Sequence, residues 1–174
     1  MSDVPELLYH VIINDPPSRW VMPRKRKAFK DDGTEKKEDV YYLTANIFYG
    51  DTHWAIKGKI VNYAKDWIFP FLHAMPKMEK CQIGITYHCH TDGFDLDNKA
   101  YFWIKIILDL MKTPSSAQII EAEKYKNPIK TVRALPDDTV RYVDQINMRY
   151  KKGSPAIELK VFGRLLNEQV TLFK

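Results

Sequence analysis

The sequence predicts a single α/β (α+β) domain, a mixed sheet with helices packed on it. Three observations predict it. Residues 81–90 alternate cleanly between apolar and polar. Two segments, 54–72 and 97–111, carry apolar residues at helical spacing, and strand-like runs open and close the chain. The inferred order β, loop, α, β, α, β, β places helices against one sheet rather than in a bundle. A chain of 174 residues suits one domain with a real core, here taken as residues 1–174 with a basic loop at about 23–39 and an insertion at about 112–136.

Leu7 to Asn14 reads as the first strand, stopped by Asp15-Pro16-Pro17-Ser18, because prolines cannot donate to a ladder. From Pro23 to Asp39 the chain is almost all charge and includes Arg24-Lys25-Arg26-Lys27. That stretch is either a solvated loop or a phosphate-contacting arm with Trp20 and Phe29 available for stacking. Val40 to Tyr49 is a strand or a packed loop. Asp51 or Thr52 would then cap a helix whose inner face holds Ile56, Ile60, Tyr63, Ala64, Trp67 and Phe71, and which Pro70 ends or kinks.

Cys81, Ile83, Ile85, Tyr87 and Cys89 share one face of the next strand, and Gln82, Thr86, His88 and His90 the other. The two cysteines lie roughly 26 Å apart along such a strand, too far for a disulfide. His88-Cys89-His90 splits across the two faces and lacks a second ligand pair, which argues against structural zinc, although either histidine could border a neighbouring acidic site. Asp97 or Asn98 would cap a helix running to Met111. A short helix, Ala117 to Lys124, follows the breaker Pro114-Ser115-Ser116. Val140 to Tyr150 and Ala156 to Phe162 read as strands joined by a hairpin turn at Lys151-Lys152-Gly153-Ser154.

Net charge is +5, which favours polyanionic partners without naming one. No signal peptide and no apolar stretch long enough to span a bilayer is visible, so the expectation is a cytosolic protein with reduced thiols. Within this basic chain, Asp95-Leu96-Asp97-Asn98 stands out. In an extended segment the two carboxylates project to one side roughly 6–7 Å apart, a spacing that suits hard divalent cations. A helix N-cap explains the same residues. Asp137-Asp138, before the next strand, is either a turn or the source of a third carboxylate. An acidic site in a basic chain points to metal-assisted cleavage of an anionic ligand, a phosphodiester above all.

In order, these elements resemble the RusA family of Holliday-junction resolvases, small endodeoxyribonucleases of bacteria and phages. Tyr9 to Asn14 with Pro16-Pro17-Ser18 is similar to the family's opening strand and turn, and Trp54 to Leu72 to its first long helix. Cys81 to His90 leading into Asp95-Leu96-Asp97-Asn98 resembles the strand and its Asp-x-Asp-Asn signature. Asp137-Asp138, then a Val-rich strand, a Lys-Gly turn and Ile157 to Val161, resemble its closing hairpin. The resemblance implies a magnesium-dependent (or manganese-dependent) endonuclease that resolves four-way DNA junctions by paired nicks as a homodimer, in recombination and repair. Asp95, Asp97 and Asp138 would be both the metal ligands and the catalytic residues, with Asn98 and Asp137 in support. The lysine that the family carries one turn after the second aspartate is Tyr101 here. Lys105, in Lys-Ile-Ile-Leu-Asp, resembles that lysine's surroundings as if one turn had been inserted, and becomes the candidate contact to the scissile phosphate. Arg24 to Lys27, Lys126, Lys130, Arg133, Lys151 and Lys152 are candidates for backbone contacts to branched DNA. A branched-DNA binding protein of the same fold with weak or no cleavage is the alternative.

Overall fold

The computed structural model describes residues 5–24, 27–90, 96–126 and 129–166, with backbone only for Leu96 and Asp97. Its centre is β4 (Met78–Cys89), flanked by β6 (Ala156–Leu165) running antiparallel and β5 (Val143–Lys152) running parallel. β1 (Glu6–Asn14) pairs antiparallel with the outer edge of β6, giving the order β1-β6-β4-β5. The mixed sheet with helices predicted from the sequence is the one observed.

Alternation decides which face is buried. Ile83, Ile85 and Tyr87 of β4, Ile157, Leu159 and Val161 of β6, and Ile13 of β1 all turn inward. Against them pack α2 (Trp54–Leu72), through Ile60, Ala64, Ile68 and Leu72, and α3 (Leu96–Met111), through Phe102, Trp103, Ile106, Ile107 and Leu110. Trp67 and Trp103 meet at 5.3 Å between ring centroids, joining the two helices. Both cysteines are free thiols, and burial pushes Cys81 up to about 12, which makes it a core residue rather than a nucleophile. No described helix is long and apolar enough to cross a membrane.

Several local expectations change. The charged stretch after Pro23 is the distal part of a ribbon formed by β2 (Arg19–Pro23) and β3 (Glu38–Tyr42). Trp20 leans on Tyr41 at 5.9 Å within that ribbon and is half-buried, so it serves packing; Phe29 remains 66% exposed. A short α1 (Asn46–Tyr49) follows β3. α2 is capped by His53, whose Nδ1 accepts from the Ala55 N–H, not by Asp51 or Thr52. Pro70 sits in the last turn of α2, which ends two residues later at Leu72, so little helix follows it to be disturbed. α4 (Ser116–Lys124) starts from a capping box between Ser115 and Gln118.

The larger correction concerns the closing strands. β5 and β6 are not a hairpin, because β4 lies between them, and residues 153–155 cross the end of β4, where Gly153 N–H donates to Cys89 O at 2.9 Å. β5 begins at Val143 rather than Val140, since the N–H groups of Tyr142 and Val143 both donate to the Thr139 carbonyl in a tight turn, leaving Val140 87% exposed.

Candidate active site

The acidic signature lies where β4 gives way to α3. Asp95 falls outside the described residues, as does the side chain of Asp97, whose backbone lies in the first turn of α3. Their neighbour Asn98 is described, and it anchors α1. Its carbonyl accepts from Ala45 N–H at 2.7 Å, and its Oδ1 from Asn46 N–H at 3.3 Å. Ala45 offers no side-chain cap to α1, so Asn98 answers helix-end donors that would otherwise lack partners. Phe48 stacks on Phe102 at 5.5 Å, and Lys57 Nζ donates to Phe48 O at 2.7 Å, fixing α1 beside the acidic end of α3.

Tyr101, one turn beyond Asp97, is engaged by Tyr49, whose Oη donates to Tyr101 Oη at 2.6 Å. That hydrogen bond is the main reason the Tyr49 phenol holds its proton above the ordinary range; desolvation adds to it and the charge of Lys105 opposes it. Lys105 itself reaches back to Asp109 at 3.7 Å and stays 40% exposed along its side chain.

Asp109 is the hub of a cationic cluster. Lys65 lies 3.2 Å from one of its oxygens, and Lys112 lies 3.3 Å from the other. Burial alone would raise its carboxyl, but Lys65, Lys112 and Lys105 together hold it below the usual range. Lys112 also meets Asp138 Oδ2 at 3.5 Å. Burial would lower the Lys112 ammonium, yet Asp109 and Asp138 keep it raised. Sequence reasoning singled out neither Asp109 nor Lys112, although their i,i+3 spacing and the Lys105/Asp109 i,i+4 spacing were readable signals.

Through Lys112, Asp138 is placed at the C-terminal end of α3, whereas Asp97 is at its start. A helix rise of 1.5 Å per residue puts the Cα atoms of Asp97 and Met111 about 21 Å apart. The sheet says the same. Val143, where β5 starts, pairs with Cys81 near the start of β4, while the acidic signature follows the other end of that strand. One chain therefore does not bring Asp138 to Asp97, contrary to the expectation of a three-carboxylate site. The reason is the parallel sense of β5, combined with a return strap along α3. In that strap Val132 N–H donates to Leu110 O at 2.8 Å and Leu135 N–H to Met111 O at 3.0 Å, so the chain is led to the far end of the helix before Asp138. Asp137 Oδ1 accepts from Asp138 N–H at 2.8 Å, a turn-fixing role. Among the described residues no group of three or more His, Cys, Asp or Glu is arranged to hold a metal.

Of the basic candidates, Arg24 is committed to Asp39, with Nη2 at 2.8 Å, and Lys130 to Asp66. Both brace the fold, which leaves the exposed Lys126 and Lys151 better placed for a ligand. His88 lies on the helix-free face of the sheet, 3.7 Å from Glu158, which also meets His10 at 3.0 Å and Lys160 at 2.7 Å. The Lys160 hydrogen bond is the leading cause of a lowered Glu158 carboxyl. His88 thus borders a polar cluster across β1, β4 and β6. No protein-family model, no curated protein and no solved structure matches this chain.

Proposed function

We propose that the chain is a RusA-like, magnesium-dependent endodeoxyribonuclease that nicks four-way DNA junctions as a homodimer. The observation that carries this reading is the placement of Asp97 and Asp138 at opposite ends of α3, together with the ordered resemblance of the surrounding segments. Residues that one chain keeps at opposite ends of α3 converge if two chains meet head to tail, so that Asp95 and Asp97 of one face Asp138 of the other. A two-fold arrangement then yields two identical sites, which suits symmetric cutting of a four-way junction.

The donor set fits magnesium, since carboxylate oxygens are the hard ligands it prefers. When bound, the ion supplies activation of a water for in-line attack and charge neutralisation on the departing oxygen. The remaining work falls to the chain. Asn98 and α1 hold the start of α3 in position, Lys112 holds the Asp138 carboxylate in place, and exposed lysines attract the DNA backbone.

The test is a synthetic four-way junction incubated with magnesium or with chelator. Wild-type protein should produce paired symmetric nicks that Asp97→Asn and Asp138→Asn each abolish. Mixing those two inactive variants should restore one intact site per heterodimer, and with it single nicks. Tight junction binding without nicks under any divalent metal would favour the binding-only alternative and sink the enzyme reading. No recovery on mixing would sink the shared-site arrangement.

A further inference from the structure

We propose that the Tyr49–Tyr101 hydroxyl pair is a phosphate-binding subsite that receives a backbone phosphate of the DNA strand entering the acidic end of α3. The inference rests on the nuclease reading and extends it to residues outside the carboxylate set.

Tyr101 stands one helical turn past Asp97, about 6 Å along the axis, so a ligand held at the signature lies within reach. Tyr49 is brought to it by α1, which Asn98 anchors through two hydrogen bonds. The rings lie 5.9 Å apart, and the oxygens at 2.6 Å share one hydrogen. Two phenols carry two O–H groups, and their mutual bond uses one. The other is left to donate outward, and it is strengthened because its own oxygen already accepts a bond. That donor belongs to Tyr101, which is half-buried rather than buried and lies beside the 72% exposed Tyr49 at the surface.

The surrounding charge selects an anion. Lys105 occupies the next turn of α3, and its charge is felt at the Tyr49 phenol. It is also the most distant of the three lysines around Asp109, at 3.7 Å, so it can turn towards an incoming anion at small cost. A ligand that must satisfy both a carboxylate-held cation and a hydroxyl donor beside a lysine needs several acceptor oxygens on one centre. A phosphodiester has them.

The test uses the full chain and a four-way junction, with single-turnover cleavage in magnesium and binding measured in calcium. Tyr49→Phe and Tyr101→Phe should each slow cleavage about tenfold, the loss expected for one hydrogen bond to a charged group. The double variant should be little worse than either single one, because the pair acts as a unit. Binding should weaken without altering the salt dependence, whereas Lys105→Ala should lower the slope of log affinity against log salt by about one. Cleavage and binding within twofold of wild type would overturn the subsite. So would a rate loss matched by a fall in thermal midpoint, which would make the pair only a fastener for α1. If the wild type binds junctions but does not cut them, the nuclease reading fails alone. The subsite is then judged by affinity: a fivefold loss in Tyr101→Phe supports it, and unchanged binding overturns it. A wild type that does not bind the junction overturns both.

Discussion

Asp109 shows most clearly how one residue organises its surroundings. Its carboxylate sits among Lys65, Lys105 and Lys112, and those charges hold its proton affinity down despite burial. A carboxyl whose folded value is depressed contributes stability that is present above the unfolded value and is lost as pH falls through the folded one. Native protein should therefore lose stability on acidification across the lower carboxylate range, and Asp109→Asn should flatten that limb. The variant should also cost about 1–2 kcal/mol near neutral pH, since three ammonium groups lose their common partner. Denaturant titrations at several pH values check both points. An acid limb unchanged in Asp109→Asn would assign the dependence to other carboxylates. The residue scale is also where the sequence was least informative. Asp95, Asp97 and Asp138 were visible as acidic residues near strand ends, but which end depends on whether β5 runs parallel or antiparallel to β4. No local pattern encodes that choice.

Among the elements, β4 and its neighbours carry the closest backbone approach. At Gly163, where β6 passes β4, an added Cβ would lie 2.3 Å from Lys80 O and 3.2 Å from Cys81 Cα. Both are backbone atoms that cannot swing aside, so Gly163→Ala should destabilise by about 1–3 kcal/mol through forced separation of the strands. Gly58→Ala, with open space around its Cβ on α2, should be neutral or stabilising by up to about 1 kcal/mol. Thermal unfolding of the two variants checks the contrast, and equal midpoints would refute it. The central elements were legible because their burial is one-sided. The alternation of Cys81 to Cys89 and the apolar stripe of α2 each announce a single buried face. The β5–β6 connection misled because consecutive strands usually pair, and Lys151-Lys152-Gly153-Ser154 has the composition of a turn. Nothing in those residues announces that β4 has already taken the place between them. The β2–β3 ribbon was hidden for a different reason, since its strands are short and mostly exposed, with Arg24 and Asp39 supplying the tie.

For the whole molecule, the shared active site proposed above would tie cutting to self-association. Single-turnover cleavage should fall off more steeply than linearly as protein is diluted below its dimer dissociation constant, and sedimentation at the same concentrations should show monomer appearing in step. Cleavage strictly proportional to protein through that transition would mean that each chain carries a complete site. The sheet order has a consequence of another kind. β6, the last strand described, lies between β1 and β4, so among the described residues the strand partners of Glu6 to Asn14 are residues Gly163 back to Ala156. During synthesis β1 has no partner until the segment that carries β6 has left the ribosome. Until then β1 and one edge of β4 present open backbone groups, the kind of surface on which nascent chains aggregate or engage chaperones. The sheet is in that sense completed by a late strand that slides between two others already waiting.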